Sequence, residues 1–197
     1  SKGKNYLDGL EKLRSNKLFY HPDVQPLLDD PRYQCELGYS WTSDRNKKKA
    51  LDSADPASLF LDRNLQLLKP GGRLLIVLPD GILSNSGDKY IREYLMGLKD
   101  EKTGEFFGGK AVVKAVVSLP PQTFGISGTN AKTSFLYIQK KGTYRVGLEN
   151  LTVDKQTPIY MAVAEHVGYL MKGNDEKPDP MGNDLKLIAD LYTKGDR

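Results

Sequence analysis

The stretch 69–79, KPGGRLLIVLP, decides the fold predicted for this chain. Five consecutive aliphatic residues, at positions 74–78, lie between a Pro-Gly-Gly turn and a second proline. A continuous apolar run of this length, bounded by turn residues, is typical of a β-strand covered on both faces, as in a parallel sheet. The stretch therefore predicts an α/β protein with a buried strand over residues 73–79.

Helical patterns lie on both sides of this strand. Upstream, Asp55 and Pro56 occupy an N-cap and a first helical position, and apolar residues at helical spacing continue to Leu68. Downstream, residues 88–98 predict a second helix. Its apolar face consists of Ile91, Tyr94, Leu95 and Leu98. The alternation of helix and strand is that of an α/β fold.

Two more strands are predicted further along, over residues 111–119 and 133–140. The Gly-rich loop between them has no helical pattern and is too short for the crossover that a parallel pair needs. The second of these strands should therefore run antiparallel to the first.

The N-terminal segment, residues 1–50, has weaker patterns. Residues 4–18 place leucines at helical spacing, whereas residues 19–50 contain three interrupting prolines and are predicted to be irregular. The basic run RNKKK at 45–49 is either a solvated loop or a contact with phosphate.

The C-terminal segment, residues 142–197, is also less regular than the middle of the chain, residues 51–141. Residues 158–167 fit either a strand or a short helix, and residues 174–183 read as a polar loop rich in Pro and Gly. Asn183 and Asp184 predict the cap of a final helix over residues 185–192. These patterns divide the chain into an N-terminal segment, a central α/β part and a C-terminal extension.

Composition places the chain among globular proteins. Of its 197 residues, 39% are hydrophobic and 27% are charged, and the net charge of +4 fits a nucleic-acid partner without requiring one. Cys35 is the only cysteine and no signal sequence is recognisable, so we expect no disulfide and a cytoplasmic protein. The longest aliphatic run is too short to cross a bilayer. His21 and His166 lie far apart without ligand-spaced partners, so no metal site is expected.

Several pieces of the sequence, in order, resemble the adenine-specific DNA methyltransferases, and most closely the modification (M) subunit of type I restriction–modification systems. Any one piece is weak, but their order makes the resemblance specific, and it covers about residues 50–192. The pieces are residues 55–62, 67–74, 76–81, 91–95, 116–120, Phe124, 133–136, 140–141, 161–169 and 183–185.

The resemblance implies the C-terminal portion of a Rossmann-like methyltransferase sheet, with its last strand inserted antiparallel and helices flanking it. It implies transfer of a methyl group from S-adenosylmethionine to the exocyclic amine of adenine in DNA. It also implies the specificity and restriction subunits of a type I system as partners.

Two family motifs are absent from the sequence. The chain has no glycine-rich cofactor loop and no Asn/Asp-Pro-Pro-Phe/Tyr motif, since Pro120 and Pro121 are preceded by Leu119. No residue is therefore assigned a catalytic role, and the chain alone is expected to be inactive: a cut piece, a split gene product or a degenerate paralogue. The alternative is a paralogue that acts as a DNA- or subunit-binding module. An unrelated nucleotide-binding domain is disfavoured, because no phosphate-binding glycine motif is present.

Two aromatic residues are site candidates through the resemblance. Phe124 matches the position that packs against the flipped base; alternatively its ring simply closes the loop onto the core. Phe60 matches the position that contacts the adenine ring of S-adenosylmethionine; alternatively it belongs to the apolar face of its helix.

Polar candidates lie near the ends of the predicted strands. Asp80 follows the strand at 73–79, where open α/β sheets bind ligands, and would either orient substrate or cap the turn. Lys132, in the same loop as Phe124, would contact DNA phosphate. Glu165 and His166 are interpreted as structural, because neighbouring residues in a strand point to opposite faces. The strand at 73–79 should also expose an unpaired edge, so self-association is expected.

Overall fold

The computed structural model describes residues 36–41, 48–50, 55–173 and 175–195. The helix predicted at 4–18, Cys35, His21 and most of the basic run at 45–49 lie outside the described residues. The chain divides into two compact units, Ser1–Leu67 and Leu68–Arg197. This boundary falls just before the Pro-Gly-Gly turn at 70–72, and the predicted segment boundaries at 50 and 141 stay a prediction.

The first unit contains a short antiparallel pair and one helix. A 3-10 turn at Glu36–Gly38 leads into β1 (Tyr39–Trp41), which pairs with β2 (Lys48–Ala50). The prediction that residues 19–50 are irregular is therefore wrong for β1 and β2, whose three-residue strands are too short to give a detectable alternation.

Helix α1 (Pro56–Leu67) begins as predicted. The backbone N–H of Ala57 donates to Asp55 Oδ1 at 2.8 Å, which is an N-cap bond. Within the helix the Asp62 carboxylate is fully buried and accepts a 2.9 Å hydrogen bond from the backbone N–H of Leu37. This buried acceptor ties α1 to the 3-10 turn.

The second unit is built on a four-stranded mixed sheet. Its strands are β3 (Arg73–Pro79), β6 (Ala111–Ser118), β7 (Thr133–Lys140) and β10 (Tyr160–Val163), in the order β3-β7-β6-β10. β7 is antiparallel to both of its neighbours, whereas β10 is parallel to β6. The prediction that the strand at 133–140 runs antiparallel to the strand at 111–119 is confirmed.

The connection from β3 to β6 carries two helices and a small hairpin. The elements are α2 (Asp80–Ser84), a 3-10 turn (Ser86–Asp88), α3 (Lys89–Met96), β4 (Leu98–Lys99) and β5 (Phe106–Phe107). Ile91 and Leu95 are buried as predicted, but Leu98 lies in β4 and is exposed. Helix α3 ends at Met96, and its C-cap is Gly97, whose φ of 98° favours glycine. A side chain at Gly97 would also clash, because its Cβ would lie 2.1 Å from the Phe107 carbonyl oxygen.

β3 is an edge strand in the described part of the chain, and its two faces differ. Ile76 and Leu78 are buried on one face, whereas Leu75 on the other is 63% exposed. The prediction that this strand is covered on both faces is wrong at Leu75. The apolar run predicts burial on both faces of the strand, but the described residues bury only the face of Ile76 and Leu78.

The C-terminal extension adds strands and a helix to the second unit. Its elements are the β8 (Gly142–Val146) and β9 (Glu149–Val153) hairpin, β10, the β11 (Val167–Lys172) and β12 (Asp175–Asn183) pair, and α4 (Asp184–Gly195). The open choice at 158–167 resolves to a strand, β10. The loop predicted at 174–183 is wrong, because pairing with β11 makes it a strand despite its Pro and Gly content. The final helix is confirmed, with the Leu185 N–H bonded to Asn183 Oδ1 at 2.9 Å.

No helix among the described residues is both long and apolar enough to span a membrane.

Candidate functional site at the carboxyl end of the sheet

The candidate substrate residues of the second unit share one end of the sheet. β7 begins where β3 and β6 end, since Pro79 pairs with Thr133 and Ser118 pairs with Ser134. Asp80, Lys132 and the loop that holds Phe124 therefore lie at the end of the sheet where open α/β proteins bind their ligands.

Asp80 and Lys132 form one polar cluster with Ser134. The Ser134 hydroxyl donates to Asp80 Oδ1 at 2.6 Å, and Lys132 Nζ lies 3.7 Å from Asp80 Oδ2. The backbones are joined as well, because the Asp80 N–H donates to the Lys132 carbonyl at 3.1 Å. The Asp80 carboxylate is thus turned to β7, where Ser134 and Lys132 contact it. Sequence reasoning missed Ser134, since only the strand register brings it to Asp80.

The Phe124 loop is a 3-10 segment, Pro121–Ser127, between β6 and β7. Both the N–H and the hydroxyl of Thr123 donate to the Pro120 carbonyl, at 3.0 and 2.6 Å. Phe124 then leaves the helical conformation, with φ −118° and ψ 24°. Its ring is half-buried and packs against the core cluster of Leu119, Ala164 and Val167. The ring thus does close the loop onto the core, and its uncovered part faces away from that cluster.

Phe60 lies in the first unit and is 61% exposed. The residues of α1 that are buried are Ser58, Leu61, Asp62 and Leu65, and Phe60 is outside this set. The alternative that Phe60 is a core residue is therefore wrong. Its contact with S-adenosylmethionine stays a prediction.

Glu165 and His166 take part in structural contacts. His166 Nδ1 lies 2.8 Å from Asp179 Oδ2 across the β11–β12 pair, and Asp179 is buried. This hydrogen bond raises the pKa of His166 above its ordinary value. The pKa of Asp179 is lowered, mainly by the N–H of Met181 and further by His166. The backbone N–H groups of Glu165 and His166 both donate to Asp184 Oδ2 at 2.9 Å. These contacts support the structural interpretation of the pair.

An apolar groove of about 420 Å³ lies between α4 and one face of the sheet. Tyr192 of α4 packs edge-on against Tyr137 and Tyr160, with ring centroids 5.9 and 5.4 Å apart. The sequence did not predict this groove, because its walls come from four strands and a helix that are distant in the chain. Its lining residues are Leu75, Ala115, Val117, Phe135, Tyr137, Tyr160, Leu185, Ile188, Ala189 and Tyr192.

In the part of the chain that the structure describes, no three His, Cys, Asp or Glu side chains converge as they would around a metal ion.

Strand β7 is inserted antiparallel between the parallel strands β3 and β6, with helices flanking the sheet, which is the arrangement that the resemblance to the Rossmann-like methyltransferases implies. The sequence model of the N-6 DNA methylase family matches residues 23–177. The match covers most of the chain, and the chain therefore belongs to the N-6 DNA methylase family. The predicted membership of the adenine methyltransferases is confirmed.

Two solved structures are similar to this chain. One is a Listeria monocytogenes protein assigned to the class I S-adenosylmethionine-dependent methyltransferases, with a TM-score of 0.46, 16% identity and 79% of this chain covered. The other is a chain from a structure of the type I restriction–modification system, with a TM-score of 0.42, 18% identity and 80% of this chain covered. This chain spans only 40% of the first and 26% of the second. No curated protein sequence matches the chain.

Proposed function

We propose that this chain supplies the base-binding side of a DNA adenine methyltransferase, as part of the M subunit of a type I restriction–modification system. The observation that carries the proposal is the position of the Phe124 loop, inside the region matched by the N-6 DNA methylase family and at the ligand-binding end of the sheet. The specificity and restriction subunits would be its protein partners.

The proposed roles follow from the chemistry of reaching an adenine amine in duplex DNA. The base has to leave the stack before its amine is accessible. Phe124 offers a flat ring to the extruded base, and stacking on an aromatic side chain contributes about 1–3 kcal/mol per base. Lys132, whose side chain is 57% exposed, would contact a phosphate. Asp80 would keep the Lys132 ammonium in place until a phosphate competes for it.

S-adenosylmethionine would supply the methyl group, but the described residues fit only a small part of it. Phe60 presents an exposed ring suited to an adenine face. The Asp80 carboxylate is not assigned to the cofactor, because it is already bonded to Ser134 and lies close to Lys132. The sequence contains neither the glycine-rich loop nor the Asn/Asp-Pro-Pro-Phe/Tyr motif. We therefore assign no catalytic residue, and the chain alone should bind no S-adenosylmethionine and methylate no DNA.

Base contact by Phe124 is tested with a single-stranded oligonucleotide that carries 2-aminopurine at one position, since stacking quenches its fluorescence. The wild-type chain should quench it. Phe124→Leu keeps an apolar side chain on the core cluster but removes the ring, and should weaken binding about fivefold or more. Phe107→Ala, at an exposed phenylalanine of β5, is the matched control and should bind as the wild type does. Equal binding by the two variants would show that Phe124 does not contact the base.

Inactivity of the chain is tested by calorimetric titration with S-adenosylmethionine and by methyl transfer to duplex DNA. We expect neither binding heat nor product. Micromolar affinity for the cofactor would contradict the proposal that the chain alone binds no S-adenosylmethionine. Tight duplex binding that Phe124→Leu leaves unchanged would instead favour the alternative of a DNA-binding module without a base pocket.

A further inference from the structure

Strand β11, in the C-terminal extension, lies directly behind the Phe124 loop. The Tyr169 hydroxyl donates a hydrogen bond to the carbonyl of Thr123, the residue just before Phe124. On its other side Thr123 is bonded to Pro120 through its own N–H and hydroxyl. The peptide that leads into Phe124 is therefore held from two directions.

Two further residues of β11 contact the same loop. Met171 covers Gly125 so closely that a Cβ at position 125 would lie 2.6 Å from Met171 Cγ. Val167 belongs to the buried cluster on which the Phe124 ring packs. Val167, Tyr169 and Met171 therefore all support the loop from Leu119 to Gly125, although the strand is irregular between Val167 and Tyr169.

The Thr123 carbonyl matters for the Phe124 ring because it lies in one peptide plane with the N and Cα atoms of Phe124. Phe124 has φ −118° inside an otherwise 3-10 segment, and φ rotates its side chain relative to that plane. Fixing the carbonyl fixes this plane, and with it the position of the Phe124 Cα from which the ring projects. Without the tyrosine hydroxyl, the loop loses this hydrogen bond to β11.

We propose that Tyr169 is a positioning residue, which holds the Phe124 loop in the conformation that receives an extruded base. Strand β11, paired with β12, places Tyr169 behind this loop. The inference rests on the proposed function, since it presupposes that Phe124 contacts the base. It gives the C-terminal extension a role at the site.

The test is Tyr169→Phe in the 197-residue chain, which keeps the ring in place and removes only the hydroxyl. The amide protons of Thr123 and Gly128, bonded within the loop to Pro120 and to Gly125, report on its order through hydrogen exchange measured by NMR. Loss of one hydrogen bond should speed their exchange about fivefold. The amplitude of 2-aminopurine quenching at saturating oligonucleotide should fall as well.

Tyr160→Phe is the matched control, because Tyr160 also donates from its hydroxyl to a backbone carbonyl, that of Ile188, at 3.3 Å. It should leave loop exchange and quenching as in the wild type. Unchanged exchange in Tyr169→Phe, an equal rise in Tyr160→Phe, or faster exchange with full quenching would each overturn the inference. A wild-type chain that does not quench at all would instead defeat the proposed base contact, so the two failures are distinguishable.

Discussion

Strands β3 and β6 are both rich in aliphatic residues, but their neighbours cover them differently. β3 contains a continuous aliphatic run over residues 74–78, and β6 is apolar apart from Lys114 and Ser118. β6 has a strand on each side, β7 and β10, and the C-terminal extension packs on beyond it. β3 has β7 on one side and, among the described residues, no strand on the other. An apolar run thus predicts a strand that is stable when buried, and the neighbouring elements decide whether both of its sides are covered.

The largest effect is expected from a matched pair of leucines within β3. Leu78 is 1% exposed and Leu75 is 63% exposed, although they are three residues apart in one strand. Leu78→Ala should lower the free energy of unfolding by about 2–5 kcal/mol, since it removes buried methyl groups and leaves a cavity. Leu75→Ala should change it by only about 0.5 kcal/mol. Urea unfolding of both variants measures the difference.

If Leu75→Ala costs as much as Leu78→Ala, then the exposed face of β3 is covered in solution. Repeating the urea titration over a range of protein concentrations then identifies the cover. A cost that grows with concentration points to a second copy of the chain.

The second prediction concerns the unpaired edge of β3. An uncovered strand edge beside an exposed leucine is a template for pairing with another chain, so the isolated protein should self-associate. Leu75→Lys should shift the sedimentation profile toward monomer, because a charged side chain on an edge strand opposes pairing. Leu148→Lys, at the exposed tip of the β8–β9 hairpin, is the control and should leave the profile unchanged. A wild-type chain that sediments as a clean monomer would contradict the prediction.

The smallest expected effect is a pH dependence confined to the extension. The pKa of His166 is raised above its ordinary value of 6.5, and the pKa of Asp179 is lowered below 3.8. Protonated His166 stabilises the fold at pH 6.5 and below, and this contribution is lost as pH rises through its raised pKa. Ionised Asp179 contributes above 3.8, and that contribution is lost as pH falls through its lowered pKa.

The contact between His166 and Asp179 should therefore stabilise most between about pH 4 and 6.5. We expect His166→Gln to lose melting temperature relative to the wild type in that window and to match it near pH 9. Glu165 and Asp184 also favour protonated His166. In an Asp179→Asn background, the melting temperature lost through His166→Gln between about pH 4 and 6.5 should therefore be smaller but still present. A wild-type advantage that is the same at pH 5 and pH 9 would mean that the contact carries no charge.

The candidate site was predictable only in part. Asp80 and Lys132 were found because polar residues next to strand ends are expected at ligand sites, and Phe124 through its place in an ordered series of motifs. Ser134, Tyr169 and the apolar groove were missed. Each depends on contacts between residues far apart in sequence, and no periodicity within one segment reports such contacts.

The sequence by itself determined the central elements and the family. Local patterns sufficed for α1, β3, α3, β6 and β7, because turn residues bound them and their apolar spacing is unambiguous. They also predicted the antiparallel return of β7, since a short connection excludes a parallel pair. Only the tertiary structure decided that residues 175–183 form a strand, that β10 joins the sheet and that one face of β3 stays open. Strand pairing and burial are set by neighbours in space, and a Pro- and Gly-rich segment becomes a strand where a partner such as β11 supplies its hydrogen bonds.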